Sequence, residues 1–284
     1  MANSDYVLRA GGFGFCPVAF LTADIEHLDT AVVMTGYTSP ISDGIRIGMA
    51  AMIDDEIVEI VNHVDNSLVL ARGCCDTIPA AHVTGTPIWF FDDSIGRDGV
   101  EYAGTETVGV KVLPRMTTGA AVPVEASPPQ QLTFNLRFAR PYPPGRLEIN
   151  GVPWFTGFIL DNHTDMAFTW THRDRITQQD QLIDHLEADI GPETGVTYKV
   201  RIYKADNTLV HTEAGITGNS FDYLWADAGI DFAVTVGDHP GYALVSSVRD
   251  SLESFQSYRV DFTLMAEPFG LGYRLGASLG GVAP

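Results

Sequence analysis

The segment RGCCDTIPAAHVTGTPIWFFDD, residues 72 to 93, gathers the residue types that metal centres and nucleophilic sites use. Cys74, Cys75, Asp76, Thr77, His82, Asp92 and Asp93 lie within it. A structural zinc site takes four Cys or His ligands, usually in closely spaced pairs. Here the two thiols are adjacent and point to opposite faces of any strand, and His82 is the only near partner, so no zinc site is expected. A Cys74 or Cys75 nucleophile activated by His82 is the second reading, but no recognisable motif surrounds either thiol, and small cysteines often serve as inert packing. The segment is expected to be a turn between strands. Gly73 suits a tight bend, Asp76 and Thr77 can bond local backbone, Pro79 to His82 make a short turn, and GTPIWFF re-enters a strand.

Three carboxylates in a row, Asp54, Asp55 and Glu56, suggest calcium. The run lacks the alternating oxygen ligands and central glycine of a hand-type loop, so it reads as a solvated strand entry, with Asp54 and Glu56 on one face if extended. Asp92 and Asp93, in DDSIGRDGVEY, form an acidic turn. Asp54, Glu56, Asp92 and Asp93 are the candidates for paired-carboxylate hydrolysis, and no pair among them is singled out. GxSxG, HExxH, P-loop and dinucleotide patterns are lacking in any fitting context. His172 sits among Arg173, Asp174 and Arg175 and reads as a paired strand edge rather than a base. Trp89, Trp154, Trp170 and Trp225 could stack on sugars, but two domain cores account for them more simply. No catalytic, cofactor-binding or metal-binding residue is assigned, and no enzyme is expected.

The elements that position these residues are short. The chain has 284 residues, 45% of them hydrophobic and 19% charged, enough for two ordinary domains. Its formal net charge of −19 repels phosphates, so unaided nucleic-acid binding is not expected. Three cysteines (Cys16 and the vicinal pair) make no disulfide framework and are read as reduced, in a chain made in a cytoplasm. The opening MANSDYVLRAGGFGFCPVAF lacks the basic region and continuous apolar stretch of a signal peptide. No apolar run reaches the length of a membrane span.

Twenty-eight glycines and 16 prolines punctuate runs rich in Val, Ile, Thr, Phe and Tyr, which is an all-β pattern. AMIDDEIVEIVNHV and SLVLARG flank Asp65–Asn66 as a hairpin. A β-barrel-like domain is expected over 25–120, after an N-terminal arm (1–24). A Pro-rich linker (121–140) leads to a β-sandwich over 141–265, followed by a Gly-rich tail (266–284). In the sandwich, Tyr198, Val200 and Ile202 alternate with Lys199, Arg201 and Tyr203 as in a half-buried strand. FDYLWADAGIDFAVTV reads as strand, and ITQQDQLIDHLEADIGP as one short surface helix or a long loop.

The stretch IGMAAMIDDEIVEIVNHVDNSLVLARGCCDTIPAAHVTGTPIWFFDD, continued by GVKVLPRM and ARPYPPGRLEING, resembles a recurrent segment in tail-tip and baseplate proteins of long-tailed bacteriophages. FTWTHRDR, GPETGVTYKVRIY and SVRDSLESFQSYRVDF resemble the fibronectin type III module that follows it there. The resemblance covers about residues 40 to 265. It departs at Cys74–Cys75, where one small or apolar residue would do, and at Asp250–Ser251, where a glycine commonly follows the Asp. It implies a virion structural protein, made in the host cytoplasm, acting in tail assembly and host attachment. Its partners would be other tail-tip proteins, further copies of itself in a trimer or ring, and a host-surface glycan or receptor. A carbohydrate- or host-surface-binding module is the alternative.

Overall fold

A computed structural model of the chain describes residues 6–7, 16–38, 44–94, 99–115, 119–161, 164–187, 190–235 and 237–266. Most of the expected N-terminal arm and nearly all of the Gly-rich tail lie outside the described residues. The fold is all-β, a closed barrel followed by a sandwich.

The barrel contains β1 (Val18–Leu21), β2 (Ala31–Thr35), β3 (Ala50–Ile53), β4 (Glu56–Val64), β5 (Ser67–Ala71) and β6 (Pro87–Trp89), in the closed order β1-β2-β5-β4-β3-β6. Every pairing is antiparallel. Alternation builds its interior: Val32 and Met34, Val58 and Ile60, and Leu68 and Leu70 point inward and are buried. The Asp65–Asn66 turn joins β4 to β5 as the sequence implies, with Val64 opposite Ser67. A second tight turn, with Asp54 at a left-handed φ of 50°, joins β3 to β4. The barrel does not begin at residue 25. Residues 18–21, assigned above to an arm, form the strand that pairs with both β2 and β6 and closes the cylinder. Only Ala19 and Leu21 of this strand are buried, an alternation too short to stand out from its apolar surroundings.

The barrel's last strand ends at Trp89. Beyond it, β7 (Thr107–Val110) pairs with β8 (Gln130–Thr133) in a separate two-stranded ladder. The expected 121–140 linker therefore contains a strand and, at Arg137–Ala139, a 3₁₀ turn. All four β8 residues are exposed, so the strand has no buried face for a hydrophobic pattern to reveal.

One sheet of the sandwich has the order β10-β9-β12-β15, from β9 (Gly145–Ile149), β10 (Val152–Pro153), β12 (Met166–Thr171) and β15 (Ser220–Tyr223). The other has the order β11-β18-β16-β13-β14, from β11 (Phe158–Leu160), β13 (Thr197–Lys204), β14 (Leu209–Ile216), β16 (Gly237–Arg249) and β18 (Tyr258–Ala266), with β17 (Leu252–Glu253) paired to β16. Among the described residues only β11 and β18 run parallel. After two crossings around β11, the chain crosses between the sheets from β12 to β13, from β14 to β15 and from β15 to β16, which is a fibronectin type III-like arrangement. Phe168 and Trp170 from one sheet meet Tyr198, Val200, Ile202, Val245 and Val260 from the other.

One local expectation is corrected, and another resolves as the long loop that it allowed for. Residues 225–231 form the short helix α1 (Trp225–Asp231) rather than strand, because Ala228 and, just beyond, Phe232 pack inward at helical spacing. Residues 176–187 form a chain of turns. The Asp174 carboxylate accepts from the Ile176 and Thr177 backbone N–H groups and the Thr177 hydroxyl, which diverts the backbone from a helix. Ile183 is buried while Ile176 and Leu186 are exposed, so they share no stripe.

Two-residue turns join β9 to β10 and β16 to β17, each with both central residues at positive φ. The first is Asn150–Gly151, the pair that such turns favour; the second is Asp250–Ser251, at 49° and 67°. Serine in that region is strained where glycine is not. Ser251→Gly should raise stability by about 0.5–1 kcal/mol, net of the glycine's added unfolded-state entropy. Urea denaturation checks this; an unchanged or lower midpoint would refute the strain assignment.

Candidate functional site

The chemistry-bearing residues converge on one end of the barrel, and they are buried. Glu56 follows the Asp54–Asp55 turn at the start of β4, and its side chain is only 1% exposed. This overturns the reading of Glu56 as part of a solvated strand entry. Its partner is Arg72, next after β5 and equally buried. The guanidinium donates from Nε and one terminal nitrogen to the two Glu56 oxygens, each at 2.8 Å. Its remaining N–H groups reach the carbonyls of Glu26 (3.0 Å), Asp29 (2.6 Å) and Ala80 (2.6 Å). All five guanidinium donors are therefore used. Glu56 also accepts from the Gly73 N–H at 2.9 Å and the Ala80 N–H at 3.0 Å.

His82 completes the cluster. Its Nδ1 lies 2.8 Å from Asp54 Oδ2 and its Nε2 lies 2.9 Å from Glu56 Oε2. Ionised carboxylates only accept, so this geometry is that of an imidazolium with both ring nitrogens donating. Burial opposes that charge, but the bonds to Glu56 and Asp54 outweigh it and raise the His82 pKa. Burial likewise pushes the Glu56 carboxyl up, and the bonds to His82 and Arg72 overcome it, leaving the pKa below its ordinary value. Asp54 and Glu56 do not lie along one face of an extended strand, because Asp54–Asp55 is a tight turn, but both carboxylates reach His82.

The same segment fastens the barrel to the sandwich. The Arg72 backbone N–H donates to Asp184 Oδ2 at 2.8 Å, and its carbonyl accepts from the His185 N–H at 3.0 Å. Arg173, buried, donates to the Gly73 carbonyl at 3.0 Å and to the Ile183 carbonyl at 3.3 Å. Gln256, between β17 and β18, accepts from the Ile78 N–H and donates to the Asp55 carbonyl. Trp154 lies beneath, edge-on to His27, His185 and Tyr258. Two glycines permit these approaches. Gly73 has φ 58°, and a Cβ there would lie 2.6 Å from Pro79 Cδ. A Cβ on Gly145 would lie 2.8 Å from the His185 carbonyl oxygen.

The remaining candidates are dispersed. Cys74 is fully buried, and burial pushes its thiol pKa well up; burial raises Cys75 as well. All three cysteines are free, and His82 is bonded to carboxylates rather than to sulfur, so neither Cys74 nor Cys75 has it as a base. Thr77 bonds local backbone through its hydroxyl, at 2.8 Å to the Cys74 carbonyl. Asp76 instead pairs with Arg137 of the intervening segment, at 2.5 and 2.8 Å. Asp93 holds Arg46 in an exposed pair, and Asp92 accepts from the Ala50 N–H at 3.4 Å. His172 Nδ1 lies 2.7 Å from the Tyr198 hydroxyl, and Arg175 pairs with Glu193. Trp154 and Trp170 are core residues and Trp225 packs partly against the same core, whereas Trp89 is exposed on the barrel. Among the described residues, no three His, Cys, Asp or Glu side chains are grouped to hold a metal ion.

Beside this junction lies an open cleft of about 660 Å³. Barrel, intervening ladder and sandwich all contribute to it, through Cys75 and Asp76, Tyr102 and Phe134, and Tyr142 and Arg175. Tyr102 and Phe134 stack at 4.7 Å between ring centroids, and Phe138 at the rim is 79% exposed.

Two outcomes follow from the cluster. Arg72→Met leaves Glu56 buried and short of a charged partner, and should cost about 3–5 kcal/mol in urea denaturation. Arg72→Lys should recover little of this, since three donors cannot replace five. The second outcome concerns pH. The folded His82 pKa is raised above 6.5, so its stabilisation is complete below pH 6.5 and disappears as pH climbs through the folded value. Glu56 acts in the opposite direction, with stability lost as pH falls from 4.5 through its lowered folded value. His27, whose pKa burial lowers, contributes a slope of the opposite sign below pH 6.5. The difference between wild type and His82→Gln should therefore shrink as pH rises above 6.5; a pH-independent difference would rule out the imidazolium.

No family model and no curated protein matches the chain. Several solved structures do. A Fn3-like protein from Clostridium thermocellum is 16% identical, covering 46% of this chain and 97% of its own, with a TM-score of 0.24. The chicken CNTN1 FN1–FN3 domains are 9% identical over 90% of this chain and 68% of theirs, with a TM-score of 0.27. The fibronectin(III)-like modules of Clostridium thermocellum CbhA are 9% identical over 89% and 96%, with a TM-score of 0.24. At these values the fold assignment rests on the strand order of the chain itself.

Proposed function

We propose that the chain is a structural component of a bacteriophage tail tip or baseplate, made in the host cytoplasm and incorporated into the virion. Its role is in tail assembly and host attachment, among other tail-tip proteins and further copies of itself in a trimer or ring. The reading starts from the resemblance over residues 40 to 265. The observation that carries it is the use made of the most chemical residues in the sequence. Glu56, Arg72 and His82 are saturated by one another, and the Arg72 backbone ties the barrel to the sandwich. A buried, fully bonded cluster at a junction builds a rigid part and leaves little for turnover. In this reading the chain is not an enzyme and takes no cofactor. No helix among the described residues is long and apolar enough to cross a membrane.

The aromatic cleft favours a second reading, a site for a host-surface glycan. Tyr102, Phe134 and Phe138 offer flat faces to sugar rings where the buried tryptophans cannot. A glycan array probed with wild type and Phe134→Ala tests it; equal signal from both, or none, would remove the cleft as a sugar site. The tail-tip reading is tested by gold-labelled antibody on intact particles from the source culture. Label at the distal end of tails is the expected result, and chain confined to the lysate with unlabelled particles would overturn it.

A further inference from the structure

The cleft beside the junction has a sign as well as a shape. Among the described residues that line it, the charged ones are Asp76, Arg137 and Arg175. The acids that pair with the two arginines are the more buried partners. The Asp76 side chain is 11% exposed against 37% for Arg137, and Glu193 is 3% exposed against 20% for Arg175. Glu193 is also shared with Arg249. Each ion pair therefore presents its positive member to solvent, in a chain whose acids outnumber its lysines and arginines by 36 to 17.

Arg137 is fixed in place and still has donors to offer. Its Nε and Nη2 donate to the two Asp76 oxygens at 2.5 and 2.8 Å, and the guanidinium lies over the Phe255 ring, 4.1 Å from its centre. Among the described residues nothing accepts from Nη1, the third nitrogen of the fork. Arg72, by contrast, has every donor bonded within the protein. A guanidinium already oriented by a carboxylate and a ring can donate its remaining N–H groups to a ligand with little side-chain entropy left to lose. Arg175 orders the adjoining rim by donating to the Phe138 carbonyl at 2.9 Å.

We propose that the cleft takes a saccharide bearing a carboxylate, with Arg137 bonding the carboxylate and the cleft's aromatic rings receiving the apolar face of the sugar. This rests on the reading of the cleft as a sugar site and adds the class of sugar. The nearly coplanar stack of Tyr102 and Phe134, with 12° between the rings, and the exposed Phe138 suit the C–H face of a pyranose. A neutral sugar leaves the Arg137 N–H groups without a charged acceptor, and a cationic one meets two guanidiniums. The net charge of −19 opposes any anion at long range. At physiological ionic strength that field is screened over about 8 Å, whereas a contact at hydrogen-bond distance is not.

Calorimetric titration of the purified full chain with oligomers of galacturonic, glucuronic and N-acetylneuraminic acid, each beside its methyl ester, tests the assignment. At least one free acid should bind, and its ester, which keeps the ring and removes the charge, should bind at least roughly tenfold more weakly. Arg137→Lys keeps a cation for Asp76 but loses the second edge of the fork, so it should weaken the acid about tenfold and leave the ester unchanged. An unchanged melting temperature establishes that this variant folds, and Arg137→Gln replaces it otherwise. Equal binding of acid and ester, or Arg137 variants that bind the acid as wild type does, would overturn the carboxylate contact while leaving the sugar reading in place. Binding of neither form would remove both. Hexaglutamate bound as tightly as the acidic saccharide would show a carboxylate contact with no need of a sugar, and would overturn the saccharide class.

Discussion

Arg72 is a charged side chain that cannot be left half-bonded. Removing a guanidinium and a carboxylate from water costs several kcal/mol per ion, so the pair is tolerable only if every donor and most acceptor positions are matched. That condition organises the whole end of the barrel. It brings the loop carbonyls of Glu26 and Asp29 over the barrel mouth, bends residues 73–80 so that Gly73 and Ala80 can donate to Glu56, and sets His82 against Glu56 Oε2. The bend in turn requires the left-handed Gly73 and the close contact with Pro79. A segment that looks chemically reactive in one dimension is, in three, the framework of a saturated ionic cluster.

The cluster also governs how the two β-units meet. While the Arg72 side chain points into the barrel, its backbone bonds Asp184 and His185, and Arg173 and Gln256 add contacts on either side. The Asp184 carboxyl, pushed up by burial, is held below its ordinary range by His185 and by backbone N–H groups including that of Arg72. Charge that would be a liability inside one domain becomes a specific fastening between two. Polar contacts of this kind set orientation more than they add net stability.

Much of the fold was legible. The inward residues of β13, Tyr198, Val200 and Ile202, stand out at a period of two, and Asp65–Asn66 marks its turn. What the pattern concealed had physical causes. β1 is too short to alternate visibly, and β8 has no buried face. Residues 225–231 combine aromatic and glycine residues that favour neither state, so packing of Ala228 and Phe232 decided for helix. Within the site, His82, Asp54 and Glu56 were singled out by type. Arg72 was not, because nothing local distinguishes an arginine after a strand from a solvated one. An arginine directly before a glycine-containing bend, sixteen residues after an acid that begins the paired strand, was the available signal.

By itself the sequence determined that the chain is all-β, strongly acidic and divided between two units, since charge, strand periodicity and turn chemistry are local or additive properties. Only the tertiary structure decided which acids are buried and which thiols are inert. Those depend on pairings between residues far apart in the chain: Glu56 with His82, Arg72 with Asp184, Val18 with Trp89. Burial turns such pairings from negligible in water into constraints that must be met, and burial is a property of the assembled fold.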